Sequence, residues 1–293
     1  MNSVLPFLKE IVDIALKEDV GNGDLTTNLL VPKNARVKAK IYAKDNGVVA
    51  GLDVAVEVFR QLHGNIKAKK LIEDGAVVKK SQVLMEISGN TRALLTGERT
   101  ALNFLQHMSG IATLTRKYVD SIRPCHAKIF TTRKTIPGMR ILEKYAVRMG
   151  GGHNHRFGLY DMVMLKDNHL KITSSLVARR SSFEELIRKM RKKIPHGMKI
   201  EVETENLKEV KMALDAGVDI IMLDNMSVKR LGKAVKFIHH TSHIAHRQRP
   251  IIEASGNVGL HNVKTIAKTG VDWISIGRLT HSAPSLDISM EID

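Results

Sequence analysis

The sequence contains a single cysteine, Cys125, and no long apolar run. One cysteine excludes an intrachain disulfide and any zinc site built from several cysteines, and it favours a reducing compartment. No apolar run approaches the roughly 20 residues that a membrane-spanning helix needs. The N-terminal stretch carries acids among its apolar positions and lacks the core of a signal peptide, so we expect a cytoplasmic protein that binds no membrane.

Aromatic residues are also scarce, at 4% of the 293 residues, whereas 46 lysines and arginines stand against 30 acids and give a net charge of +16. Such an excess of positive charge is common in nucleic-acid-binding proteins. Here the aromatics are too few and too dispersed for base stacking, and no zinc-knuckle or RNP-like motif occurs. We therefore expect no nucleic-acid partner, and a basic nucleic-acid-binding protein remains an alternative.

The hydrophobic pattern divides the chain into two kinds of segment. Residues 4–18 predict an amphipathic helix, residues 35–88 contain short β-like runs, and residues 94–119 predict a second, longer helix. The C-terminal third alternates strand-like runs, such as KIEVET, VDIIMLDN, IIEASG and VDWISIG, with helical ones. Parallel strands joined by single helices form either a closed barrel or an open doubly wound sheet.

Polar residues at the ends of these strands favour the barrel. Glu203, Asp224, Ser255 and Gly277 each end a β run, and in a β/α barrel all such ends meet on the face where the active site is built. Glu203 and Asp224 follow neighbouring strands, so their oxygens could share a Mg²⁺ ion. A structural ion pair with a barrel cation such as Lys166 is the alternative.

A phosphate site is predicted at the last strands. Ser255, Gly256 and Asn257 precede a helix and Gly277 ends the following strand. Backbone N–H groups at such turns, together with a helix dipole, bind phosphate. The alternative is that these glycines only form turns.

The basic residues between 131 and 169 fall into two groups. One group has a spacing of four on a predicted helix, opposite its apolar face, and is predicted to face solvent: Arg140, Lys144 and Arg148. The other follows strand ends or a glycine-rich turn and is predicted to reach the barrel mouth: Arg133, Lys134, Arg156 and Lys166. Several cations around one cavity are costly unless an anion is bound there.

A third basic cluster contains four histidines, His239, His240, His243 and His246. Their segment has the pattern of a helix end that passes into a loop. We therefore do not predict a metal site there.

Seven motifs, in this order, resemble those of the quinolinate phosphoribosyltransferase family: GERTALNFLQHMSGIAT, TTRKTIPGMRILEKYAVRMGGGHNHR, LKDNH, IEVET, MLDN, EASGNV and GRLTHS. The resemblance covers nearly the whole chain. It implies an α/β fold in which an N-terminal α/β sandwich domain, residues 1–115, is joined by the C-terminal tail, residues 280–293. Residues 116–279 would form an incomplete α/β barrel.

The same resemblance implies the activity and the site. The enzyme would transfer phosphoribose from PRPP to quinolinate with loss of CO₂, using Mg²⁺ as cofactor. Lys134, Lys166, Glu203 and Asp224 would be catalytic, with Glu203 and Asp224 serving the metal partly through substrate and water. The implied substrate-binding residues are Arg99, Thr132, Arg133, Lys134, His155, Arg156, Lys166, Glu203, Asp224, Ser255, Gly256, Asn257, Ser275, Ile276 and Gly277.

The family also implies a homo-oligomer, a dimer or a hexamer, in which Arg99 enters the partner's active site. One departure from the family pattern is Asn257, where a second glycine is common. Two other enzymes remain as alternatives. One is a nicotinate-specific phosphoribosyltransferase, which releases no CO₂, and the other is a barrel enzyme with Lys166 as a Schiff-base nucleophile.

Overall fold

The computed structural model describes residues 7–169, 172, 182–244 and 248–293. The chain divides into two compact units. Unit 1 comprises Met1–Arg116, Lys134–Gly152 and Arg278–Asp293, and unit 2 comprises Lys117–Arg133 and His153–Gly277. Residues 134–152, which the resemblance assigns to the barrel domain, therefore group with unit 1.

The first elements of the chain, in order, are α1 Leu8–Val20, α2 Leu25–Leu30, β1 Arg36–Ala43, β2 Gly47–Val48, α3 Leu52–Leu62, β3 Lys67–Lys70, β4 Val77–Val78, β5 Val83–Asn90 and α4 Thr91–Ser121. The predicted helix over residues 4–18 corresponds to α1, and its residues 4–6 lie outside the described residues. The predicted helix over residues 94–119 lies within α4.

The remaining elements, in order, are β6 Lys128–Phe130, α5 Arg140–Met149, β7 Val163–Leu165, α6 Phe183–Arg191, β8 Ile200–Thr204, α7 Leu207–Asp215, β9 Ile220–Asp224, α8 Val228–Ile244, β10 Ile251–Ser255, α9 Val263–Ala267, β11 Trp273–Ser275, α10 Arg278–His281 and β12 Ile288–Ile292. None of the helices within the described ranges is both long and apolar enough to span a membrane.

Unit 1 contains an antiparallel sheet in the order β12-β1-β5-β3. Strand β1 alternates buried residues such as Ile41 with exposed or half-buried ones such as Lys38 and Lys40, as expected for a sheet with one solvent-facing side. The C-terminal tail adds β12 beside β1 because α4 holds it there. The Gln106 side chain donates to the Ile288 carbonyl at 2.8 Å, and a Cβ on Gly110 would lie 2.1 Å from the Pro284 oxygen.

Helix α5 belongs to unit 1 and is buried on most of its sides. Lys144 is 2% exposed and the neighbouring Glu143 is fully buried. Arg148 is exposed and Arg140 is half-buried. The predicted solvent-facing row is therefore wrong at Lys144, because protein packs around the helix and does not cover only its apolar face.

Asp74 connects α5 to the rest of unit 1. Its carboxylate accepts hydrogen bonds from the N–H groups of Gly51 and Leu52, at 2.9 and 3.1 Å, and from the Tyr145 hydroxyl at 2.8 Å. Burial raises the pKa of Asp74, and the three hydrogen bonds oppose this only in part. Asp74 thus caps the N-terminus of α3 and binds α5 with the same side chain.

Unit 2 contains a six-stranded sheet in the order β6-β11-β10-β9-β8-β7, and all its pairs are parallel. Strands β8 and β9 are buried at four of their five positions, as expected for strands covered on both faces, and β9 is apolar up to Asp224. His153 forms a single parallel bridge with Phe130 beside β6. The order follows the chain from β7 to β11, and β6 then pairs with β11, as in a parallel barrel that is open between β6 and β7. The predicted incomplete α/β barrel is confirmed.

We predict that Asp74→Ala lowers the free energy of unfolding by about 3 kcal/mol, because two N–H groups and one hydroxyl lose their buried acceptor. Tyr145→Phe is the matched comparison, since it removes only one of the three bonds, and we expect a loss of about 1 kcal/mol. Urea unfolding monitored by circular dichroism measures both. Equal losses would show that the cap on α3 contributes nothing.

Candidate active site

The strand register of unit 2 brings three predicted site residues into one row. Ser255, the last residue of β10, is aligned with Asp224 on β9 and with Ser275 on β11. Ser275 is in turn aligned with Phe130 at the end of β6. Parallel strands without a bulge keep their carboxyl ends at one level, so the polar residues after these strands share one edge of the sheet.

The turn after β10 has the close backbone packing that its glycine permits. Gly256 has φ +88°, and a Cβ there would lie 2.1 Å from the Asn225 side-chain oxygen and 2.9 Å from its backbone nitrogen. Asn257 also has a positive φ, +51°, which asparagine tolerates better than most residues. Its side-chain amide donates to the Asn225 oxygen at 3.1 Å, and its carbonyl accepts from Asn262 at 3.0 Å.

We predict that Gly256→Ala destabilises the protein far more than Gly217→Ala. Both glycines have a positive φ, but nothing lies within 4 Å of a Cβ at Gly217. Gly217→Ala should therefore cost about 1 kcal/mol from backbone strain alone, whereas Gly256→Ala must also displace Asn225. Thermal unfolding compares the two, and similar Tm shifts would contradict the close contact.

Lys166 and Glu203 form the most direct contact between two predicted catalytic residues. The Lys166 ammonium lies 2.6 Å from the Glu203 carboxylate, which is 10% exposed. The structural ion pair that the sequence left open is therefore present. Lys166 follows the last residue of β7, and Glu203 is the fourth residue of β8, so adjacent strands supply both groups.

Asp224 ends β9 and accepts a hydrogen bond from the Asn225 amide at 2.8 Å. Together with Glu203 it provides carboxylate oxygens at the ends of adjacent strands, which fits the hard oxygen ligands that Mg²⁺ requires. Within the described part of the chain, neither belongs to a group of three or more side chains that could hold a metal. A metal held here would need ligands from substrate or water.

A buried cluster that the sequence did not predict surrounds His155. Its Nε2 lies 3.1 Å from a Glu201 oxygen and 3.2 Å from a Glu253 oxygen, and both carboxylates are fully buried. Glu201 is on β8 and Glu253 is on β10, on either side of β9. Each acid stands between two apolar residues of its strand, and this is the sequence signal that could have identified the pair.

His155, Glu201 and Glu253 influence one another's protonation. Burial alone would lower the pKa of His155, but the hydrogen bonds and charges of Glu201 and Glu253 outweigh it and raise the pKa to about 9. Burial and the charge of Glu253 raise the pKa of Glu201 to about 7. The Arg156 backbone N–H donates to Nδ1 of His155 at 2.9 Å, so the contacts to both carboxylates are made by Nε2, and the three groups titrate as one coupled set.

This cluster should make stability fall as pH rises. The contribution of His155 to the free energy of unfolding is fully present below its ordinary pKa of 6.5. It is lost as pH rises through about 9. The contribution of Glu201 is present below its ordinary pKa of 4.5 and is lost as pH rises through about 7. Both residues therefore lower stability as pH rises.

We predict that Glu253→Gln weakens this pH dependence between pH 6.5 and 9, because it removes a charge that raises both pKa values. Tm measured against pH tests this, with Asp45→Asn as the control because Asp45 is exposed and the net charge changes equally. If both variants have the slope of the unsubstituted protein, the cluster is not responsible.

Two arginines of unit 2 lie near this cluster. The Arg156 guanidinium donates to the Met162 carbonyl at 3.1 Å and contacts the Met164 sulfur at 3.2 Å. Burial, and after it the charge of Arg133, lower the pKa of Arg156, whereas the charges of Glu201 and Asp161 oppose this in part. Thr132 and Arg133 are half-buried and lie two and three residues after the end of β6. This pair is suited to an anionic ligand with more than one charge.

The structure does not bring all the predicted residues into unit 2. Arg99 is exposed on α4 and Lys134 is exposed at the start of residues 134–152, both in unit 1. Gly277 ends unit 2. Ile276 is buried and donates its N–H to the Phe130 carbonyl at 2.9 Å, so that N–H is already used within the sheet.

The histidine cluster lies on α8, where His239, His240 and His243 are exposed. His246 lies outside the described residues. Within the described ranges, the group with metal-ligating geometry is His155, Glu201 and Glu253, and α8 contributes none.

An incomplete parallel barrel with carboxylates, cations and a glycine turn at its strand ends is the arrangement of an α/β-barrel enzyme. Residues 24–109 match the N-terminal domain of quinolinate phosphoribosyl transferase, and residues 111–291 match its C-terminal domain. The chain belongs to the quinolinate phosphoribosyl transferase family.

Individual proteins of known name agree with this. A probable carboxylating nicotinate-nucleotide pyrophosphorylase of Synechocystis is 44% identical, covering 94% of this chain and 90% of that protein. A protein of the same name from Bacillus subtilis is 41% identical, covering 97% and 93%. The crystal structure of NadC from Streptococcus pyogenes superposes with a TM-score of 0.89 at 40% identity, covering 99% of this chain and 98% of that one.

Proposed function

We propose that the protein transfers phosphoribose from PRPP to quinolinate with decarboxylation, giving nicotinate mononucleotide, CO₂ and pyrophosphate. It is then a pentosyltransferase, a glycosyltransferase of de novo NAD synthesis. The observation that carries the substrate assignment is the match to quinolinate phosphoribosyl transferase over both domains, and Arg133 and Arg156 in unit 2 supply guanidinium groups that suit this substrate. Quinolinate is a dicarboxylate, and arginine binds carboxylates through two parallel hydrogen bonds.

The reaction requires charge stabilisation more than a strong base. The bond between the ribose C1 and pyrophosphate breaks with an oxocarbenium-like transition state, and the pyridine nitrogen then bonds to C1. The resulting pyridinium accepts the electron pair left when the adjacent carboxylate departs as CO₂, and that ring carbon then takes up a proton. The cations hold the carboxylates and phosphates in position, and such orientation supplies much of a rate enhancement.

The proposal also gives roles to lysines, carboxylates and the turn after β10. Lys134 and Lys166 neutralise substrate anions, and the turn at Ser255, Gly256 and Asn257 holds the phosphate, with Ser275 and Gly277 beside it. Glu203 and Asp224 serve the ribose hydroxyls and Mg²⁺, which when bound supplies positive charge for the leaving pyrophosphate. The single cysteine fits a cytoplasmic location.

The direct test is incubation with quinolinate, PRPP and Mg²⁺, followed by measurement of CO₂ and pyrophosphate. Both should appear in a one-to-one ratio. Pyrophosphate release with nicotinate in place of quinolinate, and none with quinolinate, would instead identify the nicotinate-specific enzyme. Neither product with either acceptor would refute the proposed reaction.

We also propose that the active form is a homo-oligomer, at least a dimer, in which Arg99 completes the site of a second copy. Helix α2 supports an interface in unit 1, because Leu25, Leu29 and Leu30 are 79, 83 and 77% exposed. Three adjacent exposed leucines are unusual on a surface that contacts only water. Arg99 is also exposed on α4, where the Thr100 hydroxyl binds Asp19 at 2.9 Å and anchors that part of the helix to the N-terminal segment.

Mixing two inactive variants tests the shared site. We predict that Arg99→Ala and Arg156→Ala each lose nearly all activity, and that unfolding and refolding them together restores about a quarter of it in mixed dimers, in which one of the two sites is intact. Each variant refolded alone is the control. Absence of recovery in a mixture that forms dimers would show that one chain supplies the whole site.

A further inference from the structure

Glu143 is a fully buried acid to which the proposed reaction gives no role. It lies on α5, and both of its carboxylate oxygens have partners in unit 1. Oε1 lies 3.0 Å from Nε2 of His107 on α4, and Oε2 accepts the backbone N–H of Ile136 at 3.2 Å. A buried carboxylate costs free energy unless it is paired, so these two contacts account for its presence.

The Ile136 contact is one of three that hold the loop carrying Lys134. The Thr280 hydroxyl donates to the Lys134 carbonyl at 2.7 Å, and Thr280 is 2% exposed. The Arg140 side chain donates to the Thr135 hydroxyl at 3.0 Å. Three consecutive residues, 134, 135 and 136, are thus each bound by a different side chain of unit 1.

The loop then turns directly into α5. The Met139 N–H donates to the Ile136 carbonyl at 3.1 Å, and Gly138 has φ +79° after Pro137, the arrangement of a type II turn. Glu143 follows this turn by one helical turn, and its side chain reaches back to the N–H of the residue that begins it. The carboxylate therefore fixes the loop relative to the helix.

We infer that Glu143 is a positioning residue of the active site, which holds the Lys134 loop through the Ile136 N–H while His107 holds its carboxylate. The inference rests on the proposed function, in which Lys134 contacts a substrate anion. The side chain of Lys134 is exposed, so its position depends on how firmly the Lys134 backbone is held. A misplacement of about 1 Å can reduce a rate by about 100-fold.

A double-mutant cycle with Lys134 tests the inference. We expect Glu143→Ala to lower kcat/KM for PRPP by roughly 10- to 100-fold. In a Lys134→Ala background the same change should have an effect of at most about threefold, because the lysine that it positions is absent. Equal losses in both backgrounds would overturn the inference, since Glu143 would then act independently of Lys134.

Two variants separate positioning from stability. Glu143→Gln keeps an oxygen for the Ile136 N–H, so its kcat/KM should stay within about threefold of the unsubstituted enzyme. Tyr145→Phe removes a buried hydrogen bond of the same helix, to Asp74, and should lower Tm without changing kcat/KM. If Tyr145→Phe and Glu143→Ala reduce activity equally, the role of Glu143 is structural only.

If Glu143→Ala does not fold, the cycle is measured with Glu143→Leu in a His107→Leu background, because apolar residues of similar volume often replace a buried pair without loss of stability. Hydrogen exchange at the Ile136 amide gives a readout independent of activity, and it should be faster once the carboxylate is removed. Unchanged exchange would contradict the contact. An unsubstituted enzyme that releases neither CO₂ nor pyrophosphate refutes the proposed function instead.

Discussion

Carboxylates on the barrel strands determine where His155 and Lys166 of unit 2 lie. Strand β8 carries Glu201 and Glu203 two residues apart, so both project from the same face. Glu201 and Glu253 bind His155, which follows the glycines at residues 150–152. Glu203 binds Lys166 after β7. Because an unpaired buried carboxylate is strongly destabilising, these pairs hold segments from both edges of the sheet to its centre.

Much of this arrangement could be predicted from the sequence, because strand ends and turns are local features. The alternation of β runs and helices places Glu203, Asp224 and Ser255 correctly at the carboxyl ends of their strands. The resemblance adds the family, since long motifs in a fixed order are specific. Neither step depends on knowing which residues from distant parts of the chain meet.

The features that the sequence did not predict depend on such distant contacts. The helical spacing of Arg140, Lys144 and Arg148 indicates one face, but it cannot show that protein also covers that face at Lys144. His155 was assigned to substrate binding alone, because its partners Glu201 and Glu253 lie about 50 and 100 residues further along the chain. The periodicity of hydrophobic residues reports on one helix or strand by itself. The burial of a side chain depends on every element that packs around it.

The replacement of a common glycine by Asn257 is explained by local geometry. The position has a positive φ, which glycine adopts freely and asparagine adopts more easily than other side chains. The asparagine side chain also bonds to Asn225, next to Asp224. The departure from the family pattern therefore preserves the turn and adds a connection between the ends of β9 and β10.

The ion pairs also change the electrostatic argument for anion binding. Counting cations suggested a cavity with uncompensated positive charge, but Lys166 is paired with Glu203 and His155 lies between two carboxylates. An anion that approaches Lys166 exchanges one carboxylate partner for another, so it gains less than it would from an unpaired ammonium. The positive charge of Arg156 is also compensated in part, because Glu201 and Asp161 raise its pKa while burial and the charge of Arg133 lower it. In the proposed reaction Lys166 therefore contributes more to the orientation of the substrate than to its affinity.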